Sequence, residues 1–506
     1  MSASETSPAG FGISQETVPT AHEDEKIDRA LLIIAGAMVL GTVMSILDTT
    51  VVNVAIRTLA TRFHTTLPTI QWVATGYTLS LAAVIPLSGW IADRFGTKRL
   101  YLTSIGLFVI GSCLSGLAWS STTIILFRVL QGLGGGMIMP TGMTILTRAA
   151  GTHRIGRVMA IIGVPMLIGP VLGPILGGWL VSDVDWRWIF FINLPVGIFA
   201  LIYAFRVLPK DVSNPGQPLD IIDFLLLSPG LAILIYGLAE SNSAGGFGHP
   251  KVIIPVVIGL VLIALFVWHA LSVKHPLIDL RLFLSRAFTT SSITLALMVI
   301  AVFGSFLLLP LYFQEVRGES ALMSGVLLAP QGLGSMLTMP IAGNLADRTG
   351  SGKIAPFGLA IIAATMVALA QISDHTSYVT LLIILFFNGI GMGLTMMPVY
   401  TGAMQSVSGD LVARASTMLN VTQQTAASIG TAVLSVLLAS AIGGNSSDST
   451  KTLSAAERVL AGPHLANAFD HTFWWAFAFV IIALIASFSL PKSVPEHTAG
   501  SAMMIG

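Results

Sequence analysis

The chain has 506 residues, of which only 10% are charged and 54% hydrophobic, with a mean hydropathy of +0.84. Soluble domains carry roughly 25% charged residues, so a water-soluble fold is excluded. A formal net charge of +1 argues against a nucleic-acid surface, and the single cysteine, Cys113, excludes an intrachain disulfide.

Residues 1–30 are polar and mildly acidic (Glu5, Glu16, Glu23, Asp24, Glu25). They lack an apolar core followed by a small-residue cleavage site, so they are expected to form a disordered cytosolic tail and not a cleaved signal. Beyond them, apolar runs of about 17–25 residues mark membrane-crossing helices. Fourteen are expected, at 31–56, 70–92, 100–119, 122–147, 156–181, 188–208, 220–240, 252–271, 288–314, 322–346, 354–373, 378–405, 410–442 and 472–490. An even count puts both termini on one side. With the termini in the cytosol, seventeen Lys/Arg fall inside and seven outside, while Arg128 lies within a span. The positive-inside rule therefore predicts a multi-pass plasma-membrane protein with both termini cytosolic.

Span 1 carries the first informative residue, Asp48, a lone carboxylate in an otherwise apolar helix. A charge at membrane depth costs about 2.5–3.5 kcal/mol on insertion scales, so it requires a partner or a role that needs the charge. Arg128, in span 4, is the second intramembrane charge. It lies at a depth comparable with Asp48, and protonating the carboxyl would remove its attraction to the guanidinium. The pair is read as a proton-coupling or cation site; helix-to-helix bonding for Asp48 and snorkelling to the outer interface for Arg128 are the structural alternatives.

The chain also repeats. Pro86, Gly89, Ala92, Asp93, Arg94 and Gly96 recur 254 positions later as Pro340, Gly343, Ala346, Asp347, Arg348 and Gly350. Gly132, Gly134 and Gly136 recur 257 positions later as Gly389, Gly391 and Gly393. The copies fall eight spans apart. This predicts an all-α membrane protein with six-helix bundles at 31–208 and 288–490, separated by two extra helices and linkers at 209–287 and followed by a cytosolic tail at 491–506.

Several blocks carry a family resemblance. Span 1 reads Leu47-Asp48-Thr49-Thr50-Val51-Val52-Asn53-Val54-Ala55, followed by Arg57 where the family usually has proline. The next loop reads Gly89-Trp90-Ile91-Ala92-Asp93-Arg94-Phe95-Gly96-Thr97-Lys98-Arg99. Span 4 carries Arg128-Val129-Leu130-Gln131-Gly132, and span 5 carries Gly169, Pro170, Gly173, Pro174, Gly177 and Gly178. A Trp186-Arg187-Trp188 block running to Asn193-Leu194-Pro195 follows. Together these resemble the fourteen-span drug:proton antiporters of the major facilitator superfamily. The resemblance implies the major facilitator fold and export of lipophilic monocationic or neutral compounds in exchange for protons. A proton gradient would be the energy source, with no cofactor, and the protein would work as a monomer among membrane lipids. An exporter of an endogenous metabolite or lipid is the runner-up; a membrane-embedded receptor or enzyme is disfavoured because no catalytic cluster assembles.

Within that frame, Gly89, Asp93, Arg94, Gly96 and Arg99, with their repeats Asp347 and Arg348, are expected to form a conformational latch on the cytosolic side. Fixing topology explains the basic residues but neither aspartate. The small residues at 169, 173 and 177 share one helical face suited to close packing, with Gly178 beside them and Pro170 adding a kink. Asn53, Gln314, Asn420, Gln423 and Gln424 are candidate cavity residues, with plain interhelical bonding as the alternative for the last three. No carboxylate matching Asp48 lies deep in the C-terminal bundle, and Glu315 reads as a rim residue. There is no phosphate-cradling loop and no metal-ligand spacing among the ten histidines.

Overall fold

The structure, a computed structural model, describes residues 29–150, 172–173, 175–210, 219–241, 246–273, 276–407, 411–443 and 455–492. Among these, thirteen helices are long and apolar enough to span a membrane, and there is no strand. They are α1 (Arg29–Arg62), α2 (Leu67–Phe95), α3 (Thr97–Gly116), α4 (Ser121–Ala150), α5 (Trp188–Val207), α6 (Ile221–Glu240), α7 (Pro250–Ser272), α8 (Arg286–Leu311), α9 (Ala321–Thr349), α10 (Ser351–Leu369), α11 (Tyr378–Gln405), α12 (Val412–Gly443) and α13 (Ala455–Ser487). The fifth expected span, 156–181, lies mostly outside the described residues; its final stretch is helical and ends in a π turn at Leu180–Val184. The last helix begins earlier than hydropathy suggests. The stretch 441–470 reads in the sequence as an outer loop, a linker with a helix-like segment at Leu453–Leu460, and α13 is helical from Ala455. Hydropathy measures affinity for lipid, whereas the alanines, Glu457 and Arg458 at its start are strong helix formers at any depth.

The repeat is built into the backbone. Helices α2 and α9 are both 29 residues long, capped at the N-terminus by Thr66 and Ser320 and ended by Gly96 and Gly350. Those two glycines adopt φ of 96° and 85° with ψ of 150°, a conformation that a Cβ would strain. In each case the glycine N–H donates 3.0 Å to the carbonyl four residues back, and the next helix starts at once. The triple glycines serve the same packing in both halves. A Cβ on Gly132 or Gly136 would strike α2 and one on Gly134 would strike α3; on Gly389 or Gly393 it would strike α9, and on Gly391 α10. Small residues thus let α4 and α11 each lie backbone to backbone between two neighbours.

The α6–α7 hairpin covers the seam between the halves, where Leu227, Leu231 and Phe266 pack with Ile85 of α2 and Val421 of α12. Asp223, fully buried, accepts hydrogen bonds from His269 Nδ1 and the Leu277 backbone, each at 2.8 Å. Asp220 caps the start of α6 through the Ile222 and Asp223 N–H groups. These side chains, a trio that the histidine spacing does not reveal, tie the hairpin to the linker leading into α8.

Candidate functional site

Asp48 on α1 is 1% exposed and meets Arg128 of α4, also 1% exposed, across 2.5 Å. Its other oxygen accepts from Gln131 Nε2 at 2.8 Å and Asn193 Nδ2 at 3.1 Å. Arg128 also donates to Gln131 Oε1 at 2.8 Å and, through Nε, to the Val73 carbonyl at 3.1 Å. Its guanidinium lies 4.1 Å from the centre of the Tyr77 ring, and Tyr77 OH sits 3.2 Å from Ser45 Oγ. Asn193, where the chain bends within α5, donates further to Ser112 Oγ of α3 at 3.1 Å, and Ser112 donates to the Phe190 carbonyl. Five helices converge on one ion pair. Charges this deep persist only when paired and hydrogen-bonded, and losing one partner of such a pair costs about 3–5 kcal/mol. The ionised carboxylate is fully satisfied; the protonated one would have to release a donor.

Above this cluster lies a cavity of about 720 Å³ between the two halves, walled by α1, α2, α8, α9 and α12. Tyr77, which stacks on Arg128, lines the cavity, as do Thr49 and Thr50 next to Asp48 on α1. Asn53, Gln314 and Gln424 line the cavity, whereas Asn420 and Gln423 do not. Asn420 sits one turn below Gln424, where the halves close on each other, and its amide donates to the Ser416 carbonyl at 2.8 Å. Gln331 lines the cavity although the sequence reading passed over it; its amide donates 2.7 Å to Asn388, which donates 2.8 Å to Thr365. Glu315 is exposed and outside the lining.

On the face bearing Gly96 and Gly350 the halves touch. Asp93 at the end of α2 lies 3.0 Å from Arg148 of its own half and 3.9 Å from Arg414 of α12. Ser88 and Thr417 share a 3.0 Å hydrogen bond, Ser416 donates to the Pro140 carbonyl, and a Cβ on Gly89 would lie 2.9 Å from Thr417 Oγ1. Arg94 covers Trp90 and Phe95. Asp347 accepts from Gln405 at 3.1 Å, and Arg99 and Arg348 are exposed on the same face. Of the span-5 residues, Gly169 and Pro170 lie outside the described residues. Gly173 and Gly177 face α1, where a Cβ would strike Thr50 and crowd Val51; nothing lies within 4 Å of Gly178. Gly173 and Gly177 therefore pack within one turn of Asp48.

A family model described as Major Facilitator Superfamily matches residues 38–431. The chain belongs to this superfamily of transporters and is a multi-pass membrane protein. It is 47% identical over 417 residues to the multidrug resistance protein B homolog of Mycobacterium tuberculosis, covering 82% of this chain and 77% of that one. It is 30% identical over 409 residues to the multidrug export protein EmrB of Escherichia coli, covering 80% of each. In shape it is similar to the proton:xylose symporter XylE, with a TM-score of 0.59 at 15% identity over 92% of this chain and 97% of that one. That likeness shows the major facilitator fold.

Gln131, Asn193, Ser112 and Tyr77 are the site residues that sequence reasoning did not single out. A signal existed for the first: Gln131 follows Arg128 by three positions, hence shares its helix face. Asn193 stands in the Trp186–Pro195 block that carries the family resemblance, but nothing in that block points its amide at Asp48.

Proposed function

We propose that this protein is a proton-coupled antiporter of the plasma membrane that exports lipophilic, monocationic or neutral compounds. The observation that carries the reading is a fully buried Asp48–Arg128 pair packed against Tyr77, which lines a transport-sized cavity. Arginine does not give up its proton, so of the pair it is Asp48 that would carry the exchanged one. A proton on Asp48 removes its charge attraction to Arg128, frees the guanidinium to favour Gln131 and the Val73 carbonyl, and loosens α1 from α4. Tyr77, stacked on Arg128, passes that change to the cavity wall.

The Gly89–Asp93 region supplies the second half of the cycle. With both termini cytosolic, the contacts of Asp93, Ser88 and Gly89 with α12 close the inner side while the cavity lies toward the outside. Proton release and substrate loading would accompany their opening, as the halves rock about the midplane. The names of the relatives, a multidrug resistance protein and a multidrug export protein, support drugs as cargo. No cofactor is required, and one copy in its lipid surroundings forms the whole path. The test is uptake of a fluorescent drug into inside-out vesicles under an imposed pH gradient. Gradient-dependent accumulation that vanishes when the gradient is collapsed supports antiport; accumulation indifferent to the gradient refutes it.

A further inference from the structure

We infer that the cavity is shaped for an uncharged, hydrogen-bonding aromatic compound in preference to a permanent organic cation, a narrowing that rests on the export reading above. Among the described residues no acidic or basic side chain lines the cavity. The carboxylate below it has no exposed surface, and its oxygens are taken by Arg128, Gln131 and Asn193. At the Tyr77 wall the ring already stacks against the Arg128 guanidinium, 4.1 Å from its centre. A cation approaching that wall meets a ring whose π electrons already face a guanidinium, with no counter-ion to offset the loss of its water.

The hydrogen-bond inventory points the same way. The side-chain amides of Asn53, Gln314 and Gln424 line the cavity and bond to no other described residue. These amides carry both donors and acceptors. The hydroxyls of Thr49, Thr78, Ser428 and Thr431 each donate to a carbonyl one turn earlier on their own helix, which leaves their lone pairs for a ligand. On the apolar side, Phe303 and Phe306 meet edge to face at 5.6 Å beside Leu307 and Leu328. The occupant is thus a molecule with a ring for the phenylalanines and with carbonyl, amide or hydroxyl groups for the amides. A quaternary ammonium has no N–H for those acceptors and no anion to pair with.

The experiment measures equilibrium binding to the purified full chain in nanodiscs, without any gradient. Its probes are matched fluorescent pairs, each an uncharged dimethylamino coumarin and its N-methylated quaternary ion, corrected for partition into protein-free discs. The uncharged member is expected to bind at least about tenfold more tightly. Gln314→Leu and Gln424→Leu should each weaken it by about three- to tenfold, the worth of one hydrogen bond. The inference is overturned if the quaternary member binds equally or better, if neither member of any pair binds, or if both glutamine variants bind like wild type. Because no gradient is present, these outcomes are independent of the vesicle assay. Cation-selective binding with intact gradient-driven export would reject the narrowing alone, and neutral binding without gradient dependence would reject the antiport reading alone.

Discussion

In the N-terminal bundle the polar cluster beside the cavity contains a buried charge pair, whereas the corresponding cluster of the C-terminal bundle is made of amides and a hydroxyl. Gln331 stands 254 positions after Tyr77, and Asn388 stands 257 after Gln131, the same offsets that relate the two halves. In the first half these positions surround Asp48 and Arg128. In the second they form a neutral chain from Gln331 through Asn388 to Thr365, and the position 257 after Arg128 is Leu385, fully buried. An amide chain satisfies itself at every pH. A carboxylate–guanidinium pair is complete only while the carboxylate is ionised. On the antiport reading, the first half would respond to protons and the second would provide a constant wall.

The strongest break of this asymmetry is Asp48→Asn. The amide keeps hydrogen-bonding capacity but cannot exchange a proton, and it leaves Arg128 without its counter-ion. Gradient-driven export should fall to the level of empty vesicles while the protein still inserts and still binds the uncharged ligand. Wild-type export by an inserted variant would remove Asp48 from the coupling role.

Gln331→Leu strikes the matching place in the neutral half. It strands the Asn388 carbonyl and should cost about 1–3 kcal/mol of stability, read as a lower midpoint in thermal unfolding. Ligand affinity should fall as well, since Gln331 lines the cavity. The pH at which export is half-maximal should stay at the wild-type value. A displaced pH midpoint would mean that the amide cluster also senses protonation.

Much of this contrast was legible in the residues alone, though unevenly. Charge in an apolar run gives depth, so Asp48 and Arg128 could be placed at a similar level, and repeated glycines gave the two-half architecture. What the linear pattern omits is the rotation of each helix about its axis. Asn420 and Gln424 share a face by spacing, yet only Gln424 reaches the cavity, because the closing contact of α12 with α2 and α4 cuts that face in two. Asn193 is 145 positions from Asp48, and only the fold brings its amide to the carboxylate.

Gly89→Val tests whether the contact between the halves must remake itself in every cycle. A side chain there meets Thr417 and the Ala413 backbone, so the closed side should open. Turnover is expected to drop several-fold more than ligand affinity, because the site lies outside the cavity lining. A large loss of affinity at unchanged turnover would contradict this placement.

The smallest effect distinguishes two partners of one carboxylate. Asp93 reaches Arg148 within its own half and Arg414 in the other, and both arginines retain some solvent exposure, 33% and 11% of their side-chain surface. Such pairs are worth about 0.2–1 kcal/mol each, so neither Arg148→Gln nor Arg414→Gln should unfold the protein. They should nonetheless differ in kind. The Arg148 pair is present whether the halves are together or apart, so its loss should lower the unfolding midpoint slightly and leave turnover alone. The Arg414 pair exists only while this side is closed, so its loss should shift the conformational balance and change turnover, with an effect that shrinks as salt screens the wild-type attraction. Cross-linking cysteines introduced at Ser88 and Thr417 would report that balance directly. Equal cross-linking in wild type and Arg414→Gln would show that packing of Gly89 on α12, and not charge, holds this side shut.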